Sequence, residues 1–187
     1  MRSKPTLSYL IIVLLVTLPI AAQHDHGKPA TAKTPSEAFR AEMVGQLDYL
    51  EKQTLALAGA VPQEKYDWRP SEGIRSVAEA YLHVAQGNYF LGTIIGVAPP
   101  EGMDLRALDK AATDKVKVAE MMRASFDHAR KMVKGLSDAD LEKEVDFFGR
   151  KTTIRNVLVT LIAHGHEHLG QSIAYARVNG VKPPWSE

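Results

Sequence analysis

The sequence predicts an all-α protein, a four-helix bundle preceded by a signal peptide, and three observations lead there. Four long segments repeat apolar residues at three- and four-residue steps. Capping residues, glycine or proline bound them, and no alternating apolar run strong enough for a strand lies between them. Apolar types make up 45 % of the 187 residues and charged types 24 %, a balance that excludes disorder as the whole account.

Residues 1–22 read as the signal peptide. Arg2 and Lys4 precede an apolar run from Leu7 that ends in the small residues Ala21 and Ala22. The run is somewhat short for a bilayer span of about 20 residues and contains Ser8, Thr17 and Pro19, so an uncleaved anchor is the lesser alternative. The expectation is export, to the periplasm or beyond, with no stable membrane insertion after cleavage. Ile20, at −3 to a cut after Ala22, leaves the cleavage position open by a residue. Losing Arg2 and Lys4 with this segment, which holds no acid, turns the formal charge of +1 into −1. That balance argues against nucleic acid as a partner.

Residues 23–35 are polar, aperiodic and hold two prolines, the composition of a flexible leader. Its His24 and His26 read as a solvated tail or, beside a new N-terminus, as a loose chelator of Cu(II) or Ni(II).

The bundle occupies residues 36–187. Thr34, Pro35 and Glu37 form the start signal of a first helix, which runs through Phe39, Met43, Leu47, Leu50, Thr54 and Leu57 to Gly59. A long connection from Pro62 to Gly73 carries Trp68 and Pro70. Ser76 with Glu79 is a second capping box, opening a helix that runs to about Ile95 and is broken by the stretch from Gly96 to Gly102. A third helix is expected from about Thr113 to Lys134, through Val116, Ala119, Met122, Phe126, Ala129 and Val133. Ser137 to Glu144 adds a short helical turn. Thr152 or Thr153 caps a fourth helix through Ile154, Val157, Leu158, Leu161 and Ile162 to Val178, closed by Asn179, Gly180 and two prolines. The handedness of the crossing stays open.

With no cysteine there is no disulfide, thiolate zinc site or cysteine nucleophile, so any metal must be held by His, Asp or Glu. Periodicity sorts the seven histidines. On the fourth helix the inward stripe Val157, Leu161 continues through His164 and His168 to Gln171 or Ser172 and then Tyr175. Residues four apart are neighbours on a helix, which lets both rings reach one ion, while His166 points to the far side. On the second helix Ala80, His83, Gly87 and Phe90 form one inward row, and the small side chains along it leave space for an ion or ligand. Three imidazoles buried together without partner acids would cost several kcal/mol, whereas three neutral ring nitrogens around a divalent cation satisfy one another. The alternative is three separately hydrogen-bonded core histidines. Gln171 and Tyr175 either orient ligands or simply pack. His128, beside Asp127 and Arg130 and off the apolar row, is expected in solvent. The string from His164 to His168 also matches the His-x-x-Glu-His pattern of inverted zinc proteases with Glu167 as base. That class needs a downstream Glu ligand, and the only later acid is Glu187.

These residues resemble the DinB/YfiT-like superfamily of metal-binding four-helix bundles over about residues 36–186. The resemblance rests on Trp68-Arg69-Pro70 with Ser76-Val77-Ala78-Glu79 and His83, on His164, His168, Gly170-Gln171, Tyr175, Gly180 and Pro183-Pro184, and on Ser125-Phe126-Asp127. It implies a divalent metal ion, most often zinc or nickel, held by His83, His164 and His168 with water completing the site. It assigns no ligand role to His166 or Glu167. Many relatives form homodimers. Several transfer small thiols or isomerise thiol adducts, and others are described as metal-dependent hydrolases.

The expected function is therefore an exported, metal-dependent hydrolase or small-thiol transferase acting on an unidentified small-molecule substrate. Export counts against the thiol version, because such cofactors are mainly cytosolic, and the lack of an evident general base counts against the hydrolase. The rival readings are a non-catalytic periplasmic module that binds a metal or small ligand, and a structural bundle with vestigial histidines. Trp68 and Trp185 seal the core or border a ligand cleft.

Overall fold

The computed structural model describes residues 33–186; the expected signal peptide at 1–22 and nearly all of the leader, with His24 and His26, lie outside them. Four long helices carry the fold: α1 (Pro35–Ala60), α2 (Val77–Ile94), α3 (Lys115–Gly135) and α5 (Ile154–Val178). The short helix α4 (Asp138–Leu141) and two strands, β1 (Glu144–Phe147) and β2 (Arg150–Thr153), stand between α3 and α5. No helix among the described residues is long and apolar enough to cross a membrane.

Side-chain chemistry sets the helix starts. Thr34 and Glu37 close a reciprocal capping box at α1, with Pro35 at the first helical position, and Ser76 and Glu79 do the same at α2. Asp114 caps α3 by accepting from the Lys117 backbone N–H, so the helix begins at Lys115, two residues after the expected Thr113. The buried stripe of α3 accordingly begins at Val118, while Val116 is 65 % exposed. Thr153 ends β2 and caps α5.

Both α1 and α2 pack against α3 and against α5. Helices consecutive in the chain, α1 and α2, thus face each other across the diagonal, which requires the long connection between them. Leu47, Leu50 and Leu57 of α1, Tyr81, Leu82 and Val84 of α2, Met122 and Phe126 of α3, and Leu158 and Leu161 of α5 meet in one core. The connection from 61 to 76 is itself fastened down. The Tyr66 hydroxyl donates to the Ala58 carbonyl, and the first N–H groups of α2, on Val77 and Ala78, donate to the carbonyls of Trp68 and Tyr66.

Arg69 and Glu79, part of the motif singled out in the sequence, act in this fastening. The Arg69 guanidinium grips both Glu79 carboxylate oxygens at 3.1 Å and donates to the Ile74 carbonyl at 2.7 Å, while Glu79 also accepts from the Ser76 N–H. Burial alone would raise the Glu79 pKa, but the bonds from Arg69 and Ser76 outweigh it and hold the carboxyl below its ordinary range. Glu79→Ala removes the cap and the ion pair together and is expected to lower the unfolding free energy by about 1–2 kcal/mol, read from urea denaturation at pH 7. A change within experimental error would show that the motif does not secure this loop.

The hairpin corrects the expectation of no strand. Four residue pairs, from Glu144 with Thr153 to Phe147 with Arg150, lie in antiparallel register. The turn is Phe148-Gly149, both at positive φ (54° and 78°), as in the primed two-residue turns that match strand twist. Both strands are short and half exposed, so apolar alternation is faint, and the usual Asn-Gly signal is replaced by Phe-Gly. A phenylalanine at positive φ costs about 1–2 kcal/mol relative to glycine there. The residue is also 70 % exposed.

Candidate metal centre

His83 from α2 and His164 and His168 from α5 come together between the two helices. Each offers a ring nitrogen, and the three nitrogens lie within 4.8 Å of one another. Ring centroids are 4.6–5.1 Å apart, with interplanar angles of 66–88°. The convergence follows from the packing of α2 on α5 together with the four-residue spacing of His164 and His168. His166, two positions on, is exposed and lies against Gln46 and Tyr49 of α1. Glu167 is also exposed.

Two glutamines orient the rings. Gln86 donates through Nε2 to the Leu105 carbonyl at 2.5 Å, so its Oε1 faces His83 Nδ1 at 2.8 Å. A carbonyl oxygen can only accept; His83 Nδ1 therefore carries the proton and Nε2 presents its lone pair. Gln171 repeats the arrangement, with Oε1 2.8 Å from His168 Nδ1 and Nε2 donating to the Tyr175 hydroxyl at 2.9 Å. Trp68 packs edge-on against the Tyr175 ring at 5.5 Å. Trp68 thus supports a chain of contacts running through Tyr175 and Gln171 to His168. Of the alternatives for Gln171 and Tyr175, the structure favours orientation.

Gln86 escaped the sequence reading. The available signal was spacing, since His83 and Gln86 are three apart, as are His168 and Gln171.

His164 lacks such a partner. Its Nδ1 is buried with no hydrogen bond among the described residues, and its Nε2 sits 3.4 Å from His83 Nε2. With His83 Nε2 unprotonated, a neutral His164 either carries its proton on Nε2 and donates to that lone pair, leaving Nδ1 an orphaned acceptor, or carries it on Nδ1 and sets two acceptor lone pairs face to face. A cation between them removes the conflict, and two nitrogens about 2.0–2.1 Å from a tetrahedral ion stand roughly 3.3 Å apart. The residues present therefore fit a divalent metal. The cradle is shaped for the ring as well: a Cβ at Gly87 would lie 2.2 Å from His164 Cε1 and 2.6 Å from Nδ1. Only glycine on that turn of α2 leaves His164 its place.

Burial pushes the His164 pKa down to about 4 from 6.5, helped by the neighbouring His168, His83 and Arg75. His83 is lowered too, mainly by burial and further by Arg75 and His168, against opposing effects of Gln86 and Asp109. Arg75 and Asp109, paired at 3.6 Å, are thus the charged groups felt beside the triad. In the unfolded chain these histidines bind protons near pH 6.5 that the folded site rejects. The stability of metal-free protein is therefore expected to rise with pH between about 4 and 6.5, on the order of a few kcal/mol. The check is the urea midpoint at pH 4.5 and 7.5, with a shallower dependence in His164→Gln; identical slopes in both proteins would contradict it.

His128 is a second correction. It is half-buried rather than solvated, its ring 4.9 Å from that of Tyr89 and its Nε2 enclosed without a partner among the described residues. Packing of α3 on α2 covers a position that helical periodicity on α3 alone places outside the stripe. Phe90, read as inward, is 36 % exposed and borders a cavity.

That cavity, of about 460 Å³, opens beside His83 and His164. It is walled by Phe90, Leu91 and Leu105 and by the hairpin residues Phe147 and Phe148, and no carboxylate among the described residues lines it. A polar hollow of about 480 Å³ reaches the other flank, between Arg69, Arg75, Glu79, Asp109, Lys110 and Gln171.

Comparison with known proteins agrees with this architecture. The chain is similar to a DinB-like protein of Bacillus cereus at 19 % identity and a TM-score of 0.68, over 79 % of this chain and 97 % of that one. A DinB-like protein of Bacillus subtilis shares 24 % identity at a TM-score of 0.59, over 74 % and 92 % of the two chains. YfiT of Bacillus subtilis, described as a probable metal-dependent hydrolase with an unusual four-helix bundle topology, shares 14 % identity at a TM-score of 0.62, over 83 % and 94 %. No curated protein matches the chain significantly. The DinB superfamily model matches residues 46–172, more than half of the chain and a span that includes all three clustered histidines. The chain belongs to the DinB superfamily.

Proposed function

We propose that this protein is an exported metal-dependent enzyme in which His83, His164 and His168 hold one divalent ion, zinc or nickel, and that it acts as a hydrolase on a small molecule. The observation that carries this reading is the orientation of His83 and His168 by Gln86 and Gln171, which turns two Nε2 lone pairs towards a common point at the edge of a cavity. Three imidazoles and an open position are the donor set of catalytic rather than structural zinc sites. An ion bound there supplies Lewis acidity and lowers the pKa of a coordinated water towards about 7.

The chain's own part is positional. Gln86 and Gln171 keep the Nδ1 protons in place, Gly87 admits the His164 ring, and an apolar wall lines the cavity on one side of the triad. Imidazole donors suit zinc and nickel. Export is supported by the basic and apolar pattern of residues 1–22. Transfer of a small thiol and assembly as a homodimer remain readings carried by the family resemblance alone.

A second reading has its own observation. Among the described residues no carboxylate lines the cavity to serve as a general base beside the triad on that side, as would suit a binding module for a metal or small ligand. Elemental analysis of untagged protein, expected to give about one transition metal per chain, tests the shared premise. Ester, amide and phosphoester panels then divide the readings. Metal-dependent turnover of any class supports the enzyme; tight reversible metal uptake with no turnover supports the module.

A further inference from the structure

The cavity beside His83 and His164 has a composition that selects among ligands. Its wall is apolar and largely aromatic, and among the described residues the only charged one lining it is Arg106, which is exposed. The Arg106 guanidinium has no ion pair or hydrogen bond among the described residues; only its backbone N–H is engaged, by Asp104. Apart from the two histidines of the triad, the other polar side chains at the wall are committed elsewhere. Gln86 bridges His83 and Leu105, and Thr160 donates to the Asn156 carbonyl of its own helix.

The hairpin tip supplies the second observation. Phe148 holds a turn position at φ 54° where glycine or asparagine is favoured, and the residue is 70 % exposed. The ring centroid lies 4.8 Å from that of Phe147 and 5.9 Å from that of Phe90, which is itself 36 % exposed. Three aromatic side chains from two elements thus border one opening, while the core gains little from the outermost. A backbone conformation that disfavours the residue it carries, at the rim of a cavity, points to a use for that residue other than folding.

We propose that this cavity is a binding subsite for a small molecule with an aromatic or flat apolar body and one anionic group. The body packs among Phe90, Phe147 and Phe148, and the anion pairs with Arg106. The volume of about 460 Å³ lies in the range of small-molecule sites. A cationic ligand finds no acid in the wall and meets Arg106, whereas an anion gains a partner that is otherwise without one. As the substrate class of an enzyme this rests on the proposed metal centre; as a binding site it does not.

The test uses full-chain protein, both metal-free and zinc-loaded, titrated calorimetrically with 2-naphthoate and with 2-naphthylmethylammonium. Naphthoate is expected to bind both forms and at least tenfold more tightly than the ammonium compound. Phe148→Gly, which suits the positive φ, is expected to leave Tm unchanged or raised and to weaken naphthoate at least fivefold. Arg106→Gln is expected to remove most of the preference for the anion. Equal binding by wild type, Phe148→Gly and Arg106→Gln, a preference for the ammonium compound, or no binding to either form would overturn the subsite. Binding by protein that takes up no metal would sustain the subsite while defeating the metal centre, so the two failures are distinguishable.

Discussion

His83→Ala and His164→Ala are each expected to abolish stoichiometric metal binding, whereas His166→Ala leaves it intact. Removing one of three donors that share a single point costs more than removing an outer partner, which typically lowers metal affinity by about 10–100-fold. Gln86→Ala and Gln171→Ala, which release the ring orientation and keep the donors, should fall in that smaller range. His166 lies on another face, against Gln46 and Tyr49, and contributes no nitrogen to the cluster. The decisive measurement is metal content after dialysis against a weak chelator, paired with thermal unfolding. Loss of metal with retained folding separates a site residue from a core residue. Metal-free His164→Ala should unfold at the same temperature or higher, because it removes an imidazole with an unsatisfied buried Nδ1. Equal metal loss in His166→Ala and His168→Ala would refute the assignment of faces.

The second large effect is expected from Gly87→Ala, a single added methyl group. Helix propensity alone favours alanine by about 1 kcal/mol in the middle of α2. The added Cβ would nevertheless fall 2.2 Å from His164 Cε1, far inside van der Waals contact, and the ring must turn away. The expected result is a metal affinity at least a hundredfold lower in a protein whose helical circular dichroism is unchanged. Isothermal titration with zinc measures it. An affinity within a few-fold of wild type would mean that the ring has room to move and that Gly87 is no cradle.

Much of this site was legible because helices are local objects. The steps from Val157 and Leu161 to His164 and His168 placed two rings on the buried face of α5, and the row Ala80, His83, Gly87 placed the third beside a residue without a side chain. Capping boxes at Thr34 and Ser76 marked two helix starts through bonds between residues three apart. Where the structure departed from expectation, the cause lay between elements. Val116 is apolar yet exposed, because the face of α3 that meets α1 and α2 begins at Val118. His128 is half-buried because α2 brings Tyr89 against it. The hairpin was hidden because its strands bury little and its turn uses phenylalanine where asparagine is usual.

From the residues alone came the helical class, the candidate ligands and the far-side position of His166, since each depends on periodicity within one segment. The meeting of His83 with the α5 pair, the unpartnered His164 nitrogen and the aromatic wall supplied by the hairpin depended on how α2, α5 and the strands pack. Such arrangements join positions some eighty residues apart, and their geometry is set by interhelical packing that spacing along one chain segment does not encode.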